Sequence, residues 1–488
     1  MRENGEMGTG NSLAHFEGRL TARDCKRNID LHFRVPQGCG QLEIDFAYDP
    51  YQVSDFHNLV TLTLFDPTGF RGAGHRAGAR QQVVISSALA TPGYFAGALP
   101  AGEWFVTLDT HLIMPGEPLT YRLTVRAVEG DAGQPSRPTV PAVDVRPRGP
   151  GWYRGDLHTH THHSDADGFS VDALVATARA VGLDFVFLTD HNTTSGLPAL
   201  DALSSPDLLT CGGIELTTFW GHALSLGERS WVDWRVKPCT RAMAHLAAEA
   251  YARGRLFVIA HPASDGDPGC TGCTWRFGDM MPDNARVVEV WNGPWDGDSN
   301  NEAALSLWYD WLNQGYRMVA TAGTDYHGEP FTPEDGISGP PTGTLPGAWA
   351  TVGFSVVYAE ALTEAALLTA IGAGHCYLSA GPALSLEADD GHGGHWMVGD
   401  ALPESVEGPV TFTLSWKACP SDAVVRLVAN GRPFDQRPAA GEGSLRLQMA
   451  PNDADWLVVE VRDARGQMLA ITNPIFLSPP AQDYTAAC

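Results

Sequence analysis

An α/β chain is predicted, with a central strand–helix region between two all-β regions. Three observations carry that prediction. Residues 1–145 alternate apolar and polar positions between Asp, Pro and Gly turns. From Trp152 onward, short apolar runs alternate with segments of helical spacing, over roughly 220 residues. After Gly381 the strand pattern returns. A chain of 488 residues is too long for one hydrophobic core, so three domains are expected: 1–145, 150–380 and 381–479.

In the first region Gln41–Tyr48, Leu59–Phe65, Trp104–Leu108 and Tyr121–Val125 read as strands, which suits a sandwich or jelly roll. Residues Pro135–Pro150, rich in Pro and Arg, read as a linker. In the central region Val171–Val181 has helical spacing behind Ser170, a plausible N-cap. Thr240–Arg253 and Asn301–Gln314 are the other helices. Strands are expected at Asp184–Thr189, around Ile214, and at Arg255–Ala260, Arg286–Trp291 and Arg317–Thr321. Repeated strand–helix units argue for a parallel sheet, most simply closed into a barrel. In the last region Val410–Trp416, Ala423–Val428 and Trp456–Val461 suit a second small β-sandwich.

Composition excludes some functions. The chain is 43% hydrophobic and 18% charged, which is globular rather than disordered. Its formal net charge is -25 and Lys is scarce, so nucleic acid and anionic membranes are not expected partners. An anionic substrate would be repelled too, unless bound cations reverse the field locally. No run of 18 apolar residues is present, and Met1–His15 lacks a signal peptide's apolar core, so a cytoplasmic protein is expected. Nine scattered cysteines suit reduced thiols better than a disulfide framework.

The central region concentrates His and carboxylates at the ends of its strands. Asp156-Leu-His158-Thr-His160 opens it, followed by His162, His163, Ser164, Asp165, Asp167 and Gly168. The next strand runs into Asp190-His191-Asn192, and another leads to Glu215, with His222 expected in a loop. Two later strands end at His261-Pro262 and at Gly323-Thr-Asp325-Tyr326-His327. In a parallel barrel the C-terminal strand ends converge on one face. Histidines at i, i+2 in a strand put both imidazoles on one side, where they can grip one cation. A single histidine at a strand end is ordinarily a hydrogen-bonded loop residue. Five successive strand ends, each carrying such residues, point to a metal site instead. Imidazole with carboxylate suits Zn, Mn or Fe rather than Ca or Mg.

These motifs resemble the PHP (polymerase and histidinol phosphatase) family over residues 152 to about 380. The resemblance rests on Asp156-Leu-His158-Thr-His160, Ser164-Asp165, Thr189-Asp190-His191, Gly213-Ile-Glu215, His261-Pro262 and Gly323-Thr-Asp325-Tyr-His327. It implies a distorted (β/α)7 barrel holding two or three divalent metal ions. Carried over, His158, His160, Glu215 and Asp325 would hold the first ion, and Glu215, His222 and His261 the second. Asp165, His191 and His327 would hold a third. The usual Ser-Asp-Gly is stretched here to Ser164-Asp-Ala-Asp167-Gly168, which leaves Asp165 and Asp167 both open as the ligand. Gly221-His222, Val288-Glu-Val-Trp291-Asn292-Gly293 and Ala470-Ile-Thr-Asn-Pro474-Ile475 resemble the branch of that family containing the carbaryl hydrolases.

Weaker signals are set against blander readings. Cys270-Thr-Gly-Cys273 has no second pair, so a local disulfide or two free thiols is preferred to zinc. Trp220, Trp275, Trp291 and Trp295 are core residues by default, with an aromatic pocket wall as the alternative. His162 and His163 read as rim residues, and His375, His392 and His395 as solvated ones. There is no Gly-x-Ser-x-Gly elbow and no phosphate-cradling Gly loop.

The expected function is metal-dependent hydrolysis of a small-molecule ester. Glu215 and Asp325 would act through the metals, with His222, Tyr326 or a metal-bound water as proton donor. A phosphoester ranks first, an aryl N-methylcarbamate ester second, and a non-catalytic metal-containing binding protein third. The flanking β-regions lack a ligand cluster and are expected to do no chemistry. They would cover the barrel, shape its rim or make a homo-oligomer interface.

Overall fold

The computed structural model describes residues 11–129, 147–328 and 352–478. Most of the expected linker lies outside the described residues. Two four-stranded antiparallel sheets form the N-terminal part. One runs in the order Asn11–Leu20, Leu119–Glu129, Cys39–Asp49, Arg80–Ser86, and the other in the order Asn28–Val35, Gly102–Leu112, Leu59–Asp66, Gly69–Gly74. Alternate residues of both, among them Ile44, Leu62, Val83, Trp104 and Leu123, form one buried cluster.

A fourteen-stranded sheet dominates the rest of the molecule. Its path begins Val319–Gly323, Val287–Asn292, Leu256–Ile259, Gly221–Leu226, Leu209–Thr218, Phe185–Leu188, Gly151–Asp156. It continues through Phe354–Ala359, Cys376–Ser379, Met468–Thr472, Trp456–Arg462, Val424–Ala429 and Arg432–Pro438, with Ile475–Phe476 paired off the path. The side-chain period of two explains how the sheet curls. Phe185, Phe187, Leu224, Val258, Val287 and Val319 point to one side, where they meet Tyr153 and Val357 from the far strands. Helix Glu364–Gly372 adds Leu367, Leu368 and Ile371 to the same cluster. Their neighbours face outward: Val186 and Leu188 pack on helix Val171–Val181, and Phe257, Ile259, Val288 and Val290 on helices Ala242–Ala252 and Asn301–Asn313. Strands covered on both faces read as continuous apolar runs, as Phe185–Leu188 and Leu256–Ile259 do.

Two expectations are corrected. The sheet is mixed, not parallel: Leu209–Thr218 and Gly221–Leu226 form an antiparallel hairpin. The two residues between them are far too few for the crossover a parallel pair needs. His222 therefore lies in a strand rather than a loop. The sheet also fails to close into a barrel. Strand Val319–Gly323 makes no ladder with Gly151–Asp156 or Phe354–Ala359. Side chains bridge the seam instead. The Ser355 hydroxyl bonds the amide and carbonyl of Ala322, each at 3.0 Å. The Asn473 side chain accepts from the Ala320 amide at 2.8 Å and donates to its carbonyl at 2.9 Å. Beyond the strand ends, Thr159 and Tyr326 form an isolated bridge.

Helix Val171–Val181 starts where expected: the Ser170 hydroxyl accepts from Ala173 N at 3.2 Å, and left-handed Gly182 ends the helix. The C-terminal strands are shared out. Ala383–Asp389, His395–Met397, Val410–Cys419 and Gly441–Met449 form a separate four-stranded sheet, while the others extend the large one. Among the described residues no helix is long and apolar enough to cross a membrane.

Candidate metal centre

The strand ends of the curled sheet bring the sequence-selected residues together. Gly323 permits the closest approach: a Cβ there would stand 2.4 Å from the His158 Cβ. Three sets of ligand atoms, each mutually within 4.8 Å, match the sequence groups in part. His158, His160 and Glu215 form one, and Glu215, His222 and His261 another. His160, Asp165, His191 and His327 form a third. Asp325 joins the first, its Oδ1 lying 2.8 Å from His160 Nε2 and 3.3 Å from His158 Nε2. Glu215 sits at the middle. Its Oε2 is 3.4 Å from both His158 and His160 Nε2, and its Oε1 is 3.0 Å from His222 Nδ1 and 3.3 Å from His261 Nε2.

Asp165 rather than Asp167 enters the cluster. Its carboxylate is 3.3 Å from His191 Nε2 and 3.3 Å from His327 Nε2, whereas Asp167 is exposed. Tyr326 is not brought into it. The ring stands edge-on to Phe169 at 5.2 Å and lines a small cavity with Leu174, Ala178 and Phe354. Its carbonyl does accept from His160 N at 3.0 Å.

Glu289 belongs to the site although no ligand role was drawn for it from sequence. It accepts from His158 Nδ1 at 3.1 Å, His261 N at 3.1 Å and Asn292 Nδ2 at 3.0 Å. Such a partner fixes the imidazole tautomer and leaves Nε2 free to ligate. A lone carboxylate inside an otherwise apolar strand, within Val288-Glu-Val-Trp291, was the available signal. Two further carboxylates organise loops. Asp156 accepts from the Thr324 hydroxyl at 2.6 Å and from Thr324 N and His158 N. Asp190 accepts from Thr161 N at 2.7 Å, the Thr161 hydroxyl and the Ser164 hydroxyl at 2.9 Å. Asp325 and His261 both have left-handed backbones, with φ of 53° and 27°, a local strain that the surrounding bonds must hold in place.

The electrostatics follow from burial and pairing. Burial opposes charge on Glu215, Asp325 and Asp165, but facing histidines outweigh it and hold all three well below the usual carboxylate range. Burial likewise opposes charge on His158, His191 and His261, and the carboxylates around them raise them nonetheless. His160 is pushed down to about 3 by burial and by His191 and His327. Burial also lowers His222, with Glu215 opposing it.

The donor atoms fit divalent metal. His158 Nε2, both ring nitrogens of His160 and His222, His261 Nδ1, Glu215 Oε2 and Asp325 Oδ1 are buried without a hydrogen bond. Each such atom costs about 1–3 kcal/mol if nothing satisfies it. A divalent cation takes lone pairs from several at once. The centre is open on one side, where Asp165 and Asp325 are each 24% exposed and His327 33%; His158, His160 and Glu215 are fully enclosed.

The remaining sequence candidates resolve simply. Trp275, Trp291 and Trp295 are core residues, and Trp220 packs beneath Lys26. Cys270 and Cys273 form a local disulfide, while Cys25, Cys39, Cys211, Cys239, Cys376 and Cys419 are free. His163 bonds Ser195, and the His162 carbonyl accepts from Arg76, so both residues sit where the N-terminal sheets dock. His392 and His395 are exposed, and His375 pairs with Asp400.

No family model matches the chain, and no curated protein does. One solved structure it resembles is a candidate metal-dependent phosphoesterase from Bifidobacterium adolescentis. That match covers 38% of this chain and 92% of the other, at 17% identity and a TM-score of 0.27. Likeness of this degree says nothing about what the chain does.

Proposed function

We propose that the chain is a metal-dependent hydrolase that cleaves a small-molecule phosphoester at the His158–His327 centre. The observation that carries the reading is the cluster of buried imidazole and carboxylate atoms that lack hydrogen bonds yet lie within ligand reach of one another. His158, His160, Asp325 and Glu215 would hold one divalent ion, and Glu215, His222 and His261 a second. Asp165, His191 and His327, with His160 alongside, would hold a third. Zn, Mn or Fe suits this donor set. Such ions, when bound, supply Lewis-acid polarisation and a lowered pKa for water. We read the curled sheet as a PHP-like barrel opened at one seam.

The chain's own residues would do the rest. Glu289 keeps His158 aimed through Nδ1. Glu215 would bridge two ions, since its two oxygens face different histidine sets. The open side at Asp165, Asp325 and His327 is where a substrate would enter. Attack by water on phosphorus breaks the bond to the leaving oxygen, which takes up a proton. Solvent on the open side would supply that proton, because His222 is taken up with the second ion and the Tyr326 ring packs against Phe169. A second reading is an aryl carbamate ester. It rests on the sequence resemblance, because Phe219 and Trp234, the aromatic residues that flank His111 beside the centre, are themselves buried in the core.

Elemental analysis of the purified chain, followed by assays with p-nitrophenyl phosphate, a phosphodiester and an aryl carbamate, tests the reading. Two or three transition-metal ions per chain are expected, with the phosphate ester the best substrate. Less than about one equivalent after reconstitution with Zn or Mn overturns it. Glu215→Ala should lose metal and activity together.

A further inference from the structure

The N-terminal sheets carry two histidines to the edge of the centre. His75 directly follows strand Gly69–Gly74, and His111 lies in strand Gly102–Leu112. The His75 ring is 4.7 Å from that of His191 and 4.7 Å from that of His111. His111 is 1% exposed and fixed by Phe219 at 4.9 Å and Trp234 at 5.8 Å, with Nε2 3.1 Å from the Thr61 hydroxyl. His75 Nδ1 is buried without a hydrogen-bond partner, and so is His111 Nδ1.

This approach is held by direct bonds to the ligand-bearing loops. Arg76 donates to the His162 carbonyl at 3.0 Å and also to the Pro92 carbonyl. Gly93 N donates to the Ser195 hydroxyl at 3.0 Å, and the Thr193 hydroxyl donates to the Gly93 carbonyl at 2.8 Å. Gly93 cannot be enlarged, because a Cβ there would stand 2.8 Å from the His163 carbonyl oxygen. The segments bearing His160–Asp165 and Asp190–Asn192 are therefore tied to Arg76, next to His75, and to Gly93, whose carbonyl also accepts from Ala73 N at 3.1 Å.

We propose that the active site is composite: His75, delivered by the N-terminal sheets, contacts the substrate by donating a hydrogen bond from Nδ1 to a non-bridging phosphoryl oxygen. The proposal rests on the hydrolase reading above. An imidazole with an unpartnered Nδ1, in ring contact with the ligand His191, is suited to an oxygen acceptor held at the centre. His111, locked behind it, positions the His75 ring.

The test uses the full chain reconstituted with Mn or Zn, comparing wild type with His75→Ala, His75→Asn and His75→Phe. Measured are metal per chain, the affinity for inorganic phosphate by calorimetry, KM and kcat with p-nitrophenyl phosphate, and the melting curve. His75→Ala is expected to keep the wild-type metal content while binding phosphate at least about tenfold more weakly. His75→Asn, which keeps a donor near Nδ1, should recover part of the loss. His75→Phe keeps the ring volume without the nitrogen, so it carries the test if the alanine variant does not fold. Unchanged phosphate affinity in a metal-loaded Ala or Phe variant overturns the proposal. So does loss of metal, which would make His75 a ligand. A wild-type chain that takes up no metal refutes the hydrolase reading itself, whereas these outcomes in the variants refute only the contact by His75.

Discussion

Asp165 and Asp167 lie two residues apart in one loop, yet they meet different surroundings. Asp165 stands 3.3 Å from two histidines, and Asp167 is exposed. Asp165→Asn should therefore cost at least about tenfold in kcat/KM, while Asp167→Asn should stay within about twofold. Steady-state kinetics on both variants would show it, and the reverse order would move the ligand to Asp167. His327 makes a second residue-scale prediction. Burial opposes its charge, but Asp165 outweighs this and raises it to about 9 from an ordinary 6.5. An imidazolium cannot ligate, so metal held by this group should tighten as pH rises toward about 9. In the metal-free chain the sign is opposite. The stabilisation from the His327–Asp165 pair is full below about 6.5 and is lost as pH rises through about 9. Melting temperatures with a chelator and with excess Mn should thus diverge between those pH values. A gap that narrows would contradict the assignment of His327.

The edge strand Val319–Gly323 shows what an element needs when no neighbouring strand completes its ladder on that side. It leads directly to Asp325, and its free backbone groups are buried. Asn473, itself fully buried, imitates a strand by bonding both the amide and the carbonyl of Ala320. It also donates to the Cys376 carbonyl at 3.0 Å, so one amide ties two strands together. Asn473→Ala would leave the Ala320 amide unpaired and its carbonyl with only the weak Cys376 thiol donor at 3.8 Å, a destabilisation of about 2–4 kcal/mol in a urea titration. Asn473→Asp keeps the acceptor but turns a carboxyl oxygen onto the Ala320 and Cys376 carbonyls in a fully buried site, so it should be no more stable than alanine. A loss below about 0.5 kcal/mol for the alanine variant would mean that the seam is held elsewhere. On the other side of this region, Asn301 begins a helix and clamps the end of strand Val287–Asn292. It accepts from Asn292 N at 2.9 Å and donates to the Asn292 carbonyl at 3.1 Å, which steadies the segment bearing Glu289.

Across the whole molecule, the N-terminal sheets grip the large sheet near its hairpin turn. Lys26 Nζ donates to the Phe219 carbonyl at 2.7 Å, lies 2.6 Å from Asp267 and sits over the Trp220 ring at 4.4 Å. Trp231 stacks on Phe70 at 4.4 Å. Together with the Arg76 and Gly93 bonds, these contacts place an all-β region against the ligand loops. The flanks were expected to cover the barrel, shape its rim or make a homo-oligomer interface, and the ring contact of His75 with His191 places the N-terminal sheets at the rim. The chain's acidity, with a net charge of -25, adds a field that favours cations over anions at long range.

Much of the candidate centre was legible from sequence, and the reason is local. Metal chemistry restricts ligands to a few residue types, and a strand followed by a loop puts them at readable positions. His158, His160, His191, Glu215, His261 and Asp325 could all be picked out by that rule, and the apolar runs between helical segments marked their strands. The helix behind Ser170 was equally readable, because capping and periodicity act within one segment. What depended on distant parts of the chain could not be read in this way. Whether the sheet closes is decided by Ser355 and Asn473 meeting an edge strand from far along the chain. The role of Glu289 depends on a partner, His158, from another strand, and the choice of Asp165 over Asp167 depends on where His191 and His327 converge. His75 carries no local signal at all, since a lone histidine after a strand resembles any solvated one. Spacing governs contacts within a few residues, whereas contacts between distant segments exist only once the sheet has curled and the N-terminal sheets have docked.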